Sequence, residues 1–177
     1  GSGQGPKGPD AEKGGYDRFM QKEIFEQPRA ITDTIGTRVN EAAMEVDLDG
    51  IEFAREEVDA LRSISLVACG TASYACHVGK YMIEQLAGIP CEVDLASEFR
   101  YRRPILGSDS MVVAVSQSGE TADTLAALDL CKKNNVKTCS IVNALESSIA
   151  RSSDFVLPIH AGPEIGVAST KAFTGQM

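Results

Sequence analysis

Residues 110–121, Ser110-Met111-Val112-Val113-Ala114-Val115-Ser116-Gln117-Ser118-Gly119-Glu120-Thr121, run an unbroken apolar stretch into a loop of hydroxyls built around one glycine. A short valine-rich run closed by a turn signal reads as a strand. From about Glu120 to Asn134 the pattern turns helical, so the segment is a strand that hands over to a helix.

The same alternation extends outward in both directions. Upstream lie an apolar run at Ser63–Cys69, a helix from about Ser73 to Ala87, a run at Cys91–Ala96 and a short helix of mixed charge through Arg102. Downstream lie a run at Lys137–Asn143, a helix near Ser147, a run at Asp154–Ile159, and the first turns of a helix over Ser169–Met177. Parallel strands need long crossovers, and crossovers are usually helices. The expected fold is therefore α/β: a three-layer α-β-α sandwich with a five-stranded parallel sheet in the flavodoxin-like order 2-1-3-4-5, preceded by an N-terminal helical lead-in.

The lead-in spans residues 16–62. Met20, Ile24, Ile31, Ile35 and Val39 recur along one helical stripe that Pro28 is expected to interrupt, and a second helix is expected over Ile51–Arg62 after a turn at Asp49-Gly50. Residues 1–15 are rich in Gly and Pro with almost no apolar side chains, and read as a disordered linker. Residues 63–177 form the α/β domain.

Composition narrows the function classes. At 177 residues, 43% hydrophobic and 24% charged, the chain is the size of one globular domain. A net charge of -8 with 17 scattered basic residues argues against nucleic acid as a partner. No apolar run reaches the length that crosses a bilayer, so no membrane partner is expected. Five cysteines without metal-site or redox spacing read as reduced thiols in a cytoplasmic protein, with no metal expected.

In an open parallel sheet, ligands bind beyond the carboxyl ends of the strands where the strand order reverses. That point lies between the loops Cys69-Gly70-Thr71-Ala72-Ser73 and Ser116-Gln117-Ser118-Gly119-Glu120-Thr121. The second loop has the chemistry of an uncharged phosphate cradle: Gly119 admits the backbone, Ser116, Ser118 and Thr121 offer hydroxyls, and a helix start supplies unpaired amides. Capping by Ser118 and an easy turn at Gly119 explain the same letters more plainly. Glu120 fits a cradle only if its charge turns away. The first loop alone is an ordinary turn, and Cys69 reads as a structural thiol. His77, His160, Lys80 and Arg100 read as structural or surface groups. In Glu164–Lys171, a backbone contact from Val167 and the Ser169 hydroxyl would suit a sugar, and Ser169 would equally serve as a helix cap.

These residues carry a resemblance. Phe19–Pro28, Cys69-Gly70-Thr71, Leu86–Pro90, Ala96–Arg102, Ser116–Thr124 and Glu164–Phe173 resemble the sugar isomerase (SIS) family and, within it, the isomerase domains of glucosamine-6-phosphate synthases. The resemblance covers roughly residues 16–177. It implies that Ser116, Gln117, Ser118 and Thr121 hold the phosphate of fructose 6-phosphate or glucosamine 6-phosphate, with Thr71, Val167 and Ser169 on the sugar. Ala72 stands where such domains often carry a serine, which leaves open whether Ser73 supplies that hydroxyl. It further implies a homodimer, no cofactor, and catalytic residues beyond Met177, so that these residues alone bind sugar phosphate weakly without turnover. The alternative is a sugar-phosphate-sensing SIS module of a transcription regulator.

Overall fold

The computed structural model describes residues 13–177 apart from 37, 49, 50 and 52. Most of the expected linker and the turn at Asp49-Gly50 lie outside the described residues. The central sheet is formed by β3 (Ser63–Ala68), β4 (Cys91–Leu95), β5 (Ser110–Ser116), β6 (Lys137–Val142) and β7 (Phe155–Pro158). Its order is β4-β3-β5-β6-β7, all neighbours are parallel, and counting only these strands this is 2-1-3-4-5 as expected.

Both faces of the sheet are covered. Leu66, Ala68 and Val115 pack with Ala72 and Cys76 of α3 (Thr71–Ala87) on one side. Val67 and Val112 pack on the other with Phe99 of α4 (Ala96–Phe99) and Ala127 and Cys131 of α5 (Ala122–Lys133). Ala114 and Val142 meet Leu128 of α5 and Ile149 of α6 (Ser148–Ser152) on that same side. Alternate residues of one strand thus serve opposite layers, which is why β3 and β5 read as continuous apolar runs. Each fully buried Val or Leu contributes roughly 1.5–3 kcal/mol to this sandwich.

The lead-in has three features that periodicity alone did not show. Helix α1 (Phe19–Ile35) runs straight through Pro28. Pro28 has no amide to give to the Ile24 carbonyl, and Gln27 Nε2 donates to that carbonyl instead, at 2.9 Å. Second, the apolar stripe is not the buried face: Met20, Ile24, Ile31 and Ile35 are 40–49% exposed, while Lys22, Glu23, Ala30 and Thr34 are buried against α7 (Thr170–Gln176) and its preceding loop. Third, where the sequence showed no strand, Val39–Asn40 (β1) pairs antiparallel with Glu45–Val46 (β2), and α2 covers only Arg55–Ala60 of the expected 51–62 helix.

Candidate functional site

The register of β3 on β5 pairs Ala68 with Val115, so Cys69 and Ser116 leave the sheet side by side at its carboxyl edge. β4 lies on one side of β3 and β5 on the other, which makes this the place where strand order reverses. A cleft of about 290 Å³ opens there. The β3–α3 loop supplies Cys69, Gly70, Thr71 and Ala72, and the β5–α5 loop supplies Ser116, Gln117, Ser118 and Thr121. The loop before α7 adds Val167 and Ser169, and Gln176 closes the far side. No Asp, Glu, Lys, Arg or His is among these lining residues.

Seven of the eight residues singled out from sequence therefore meet in one cleft. Ser73 stands apart: it is buried, and its hydroxyl donates to the Gly70 carbonyl at 2.7 Å, where it helps to start α3.

The β5–α5 loop folds around Gly119. Its φ is +68°, and a Cβ there would fall 2.0 Å from Ser147 Oγ and 2.3 Å from Ser147 Cβ, so both conformation and space require glycine. The Gly119 amide donates to Ser116 Oγ at 3.0 Å, and the Glu120 amide donates to Ser118 Oγ at 3.3 Å. Ser116 Oγ and Thr121 Oγ1 share a hydrogen bond at 3.4 Å. Engaging the Ser116 and Ser118 oxygens with backbone amides leaves the Ser118 proton and one of the two shared by Ser116 and Thr121 for donation, and the first turn of α5 adds amides without intrahelical partners. The resulting surface is neutral, donor-rich and suited to an anion.

Glu120 does turn away. Its Oε1 accepts the Ser148 amide at 2.8 Å, and hydrogen bonding with Ser148 holds its carboxyl below the ordinary range, with Arg151 as a smaller influence. Gly119 O accepts the next amide, that of Ile149, at 2.9 Å. Both ends of this contact anchor the loop to the start of α6. Asp123, in the first turn of α5, faces Arg100 at 3.7 Å.

Sequence reasoning missed the residues that hold the third loop. Glu23 on α1 accepts the amides of Ile165 and Gly166 at 2.7 and 2.9 Å. Glu164 Oε1 accepts the amides of Lys171 and Ala172 at 3.0 and 3.2 Å, and burial pushes its carboxyl above the ordinary range. Lys171, 2% exposed, reaches Glu26 Oε2 at 2.8 Å. The Gln176 carboxamide is buried without a hydrogen-bond partner among the described residues. Charged residues on a helix normally read as its solvent face, so only their place within Phe19–Pro28 and Glu164–Phe173 hinted at these roles.

Residues 60–177 match the model of the SIS domain family. The chain belongs to that family. The chain is 53% identical over 167 residues to the glutamine-fructose-6-phosphate aminotransferase (isomerizing) of Clostridium tetani, taking in 94% of the chain and 27% of the relative. The corresponding aminotransferase of Caulobacter vibrioides is 54% identical over 167 residues, with the same shares. The chain thus spans about 27% of the length of these relatives.

Among solved structures, the C-terminal domain of glucosamine-fructose-6-phosphate aminotransferase from Francisella tularensis superposes with a TM-score of 0.84 at 47% identity, covering 94% of this chain and 46% of that one. The sugar isomerase domain of an RpiR transcription factor from Sphaerobacter thermophilus gives a TM-score of 0.62 at 19% identity, covering 89% of this chain and 83% of that one. The second likeness is one of SIS fold alone.

Proposed function

We propose that this SIS domain is the sugar-phosphate-binding half of the isomerase part of a glutamine-dependent fructose-6-phosphate amidotransferase, an enzyme that makes glucosamine 6-phosphate. The observation that carries the proposal is the convergence of the Ser116, Ser118 and Thr121 hydroxyls on one uncharged cleft at the strand-order reversal. These groups, with Gln117, hold the phosphate ester, and Thr71, Val167 and Ser169 face the sugar. Identity above 50% to aminotransferases supports the substrate class, whereas a sensing role in a transcription regulator draws only on a shared fold.

Isomerisation needs an acid and a base within hydrogen-bond reach of the transferred proton. The cleft lining offers neither a carboxylate nor an amine nor an imidazole. These residues therefore bind and orient fructose 6-phosphate or glucosamine 6-phosphate, and the acid-base groups come from elsewhere in the enzyme. We assign the protein to the cytoplasm, as a homodimer, with no nucleic-acid or membrane partner. Among the described residues no helix is long and apolar enough to cross a membrane.

Calorimetric titration with glucosamine 6-phosphate tests the assignment. A hydrogen bond to a charged group contributes about 1.5–3 kcal/mol, so Ser118→Ala should weaken binding about tenfold or more. Equal affinity for wild type and Ser118→Ala would remove the phosphate assignment.

A further inference from the structure

Helix α1 buries its charged face. Glu23 is 3% exposed, and its carboxylate lies beneath the loop that precedes α7. Oε1 accepts the Ile165 amide at 2.7 Å and the Gly166 amide at 2.9 Å, and Oε2 approaches the Gly166 amide at 3.2 Å. The fit leaves no room for a side chain, since a Cβ on Gly166 would lie 2.2 Å from Glu23 Oε2. Burying a carboxylate is costly unless it is well bonded, so this contact holds the loop backbone firmly in place.

The residues that follow are the ones that reach the cleft. Val167 is fully exposed, and Ser169, with φ +55°, turns the chain into α7. Glu164 fixes the opposite end of the loop by accepting the amides of Lys171 and Ala172, while Lys171 pairs with Glu26 one turn along α1 from Glu23. The phosphate-side loop has different anchors, β5 and the start of α6, and neither involves α1. The two halves of the cleft are therefore held by separate parts of the fold.

Resting on the hexose-phosphate reading of the cleft, we propose that Glu23 is a positioning residue for its sugar side: by binding the Ile165 and Gly166 amides it sets the backbone from which Val167 and Ser169 meet the sugar. The chemistry of the phosphate side does not depend on it, because that loop is anchored by β5 and α6. Loss of Glu23 should loosen the grip on the sugar while leaving the grip on phosphate intact.

The test is an NMR titration of the 177-residue chain with inorganic phosphate and, separately, with glucosamine 6-phosphate. The Gly119 and Thr121 amides report the phosphate side, and the Val167 and Ser169 amides report the sugar side. Glu23→Ala is expected to weaken glucosamine 6-phosphate about tenfold, the equivalent of one strong hydrogen bond, and to leave inorganic phosphate unchanged. Glu23→Gln, which keeps a carbonyl acceptor, should recover most of that loss. Gly166→Ala should reproduce the loss in the wild-type background and add little to Glu23→Ala, where the obstructing carboxylate is gone.

Equal weakening of both ligands by Glu23→Ala, or of neither, would overturn the proposal. If Glu23→Ala does not fold, Gly166→Ala carries the same test: selective loss of the sugar phosphate supports the proposal, and equal loss refutes it. Ser118→Ala is the control for the underlying reading. If it changes neither ligand, the cleft assignment itself has failed, whatever Glu23 does.

Discussion

Glu120 Oε1 accepts the Ser148 amide at 2.8 Å, and this bond draws the one carboxylate of the 116–121 loop over the start of α6 and away from the cleft. The loop can then present hydroxyls and amides to an anion without a like charge beside them. Glu164 is its counterpart on the third loop, with the opposite electrostatic balance, because burial outweighs its two amide bonds.

The two carboxylates predict opposite pH behaviour. Glu120 has a lowered value in the folded state, so its contribution is present above the ordinary carboxylate range and is lost as pH falls through the lowered value. Glu164 has a raised value, so stability is lost as pH rises through it. Thermal melts should show Glu120→Gln less stable than wild type at neutral pH and Glu164→Gln more stable. Both differences should vanish in acid. A Glu164→Gln variant less stable than wild type at pH 7 would contradict the assignment.

Gly119→Ala should be severe. A left-handed φ and a Cβ driven into Ser147 together cost about 2–5 kcal/mol. Denaturant unfolding should show that loss, and calorimetry should show no binding of glucosamine 6-phosphate. Wild-type stability in Gly119→Ala would mean that the loop does not adopt this geometry.

Thiol reactivity should single out one position. Burial pushes Cys76 and Cys131 up to about 12 and Cys91 and Cys139 up to about 11, and all four are buried. Cys69 is half-buried, lines the cleft and lies 3.8 Å from Thr124 Oγ1. Iodoacetamide at neutral pH should therefore modify Cys69 first in the folded protein, and glucosamine 6-phosphate should slow that reaction. Peptide mapping that finds Cys131 labelled first would contradict this account.

The sequence displayed the sheet clearly and the lead-in poorly. β3 and β5 are legible because burial on both faces demands continuous apolar runs, and Gly119 is legible because few other residues tolerate its conformation. Where α1 passes through Pro28, a side-chain bond from Gln27 takes up the Ile24 carbonyl, which no periodicity shows. The buried face of α1 was hidden because Glu23 and Glu26 find partners 140 or so residues away, on the loop before α7 and on Lys171, while Lys22 pairs with Glu26 along the helix. The resemblance left open whether Ser73 supplies the hydroxyl that Ala72 lacks; its own hydroxyl is bonded locally to Gly70, and Ser73 is not among the residues lining the cleft.

The outward stripe of α1 predicts self-association. Met20, Ile24, Ile31 and Ile35 form a row of exposed apolar side chains of the kind that marks an interaction surface. Light scattering should give the mass of a dimer, and Ile24→Lys with Ile31→Lys should give a monomer with unchanged helical content. A wild-type monomer at high concentration would count against the homodimer.

The most direct test of the central claim is a crystal structure of the chain with glucosamine 6-phosphate. The phosphate is expected within hydrogen-bond distance of the Ser116, Ser118 and Thr121 hydroxyls and the first amides of α5. Phosphate density seated away from the 116–121 loop, beside surface lysines or arginines, would contradict it.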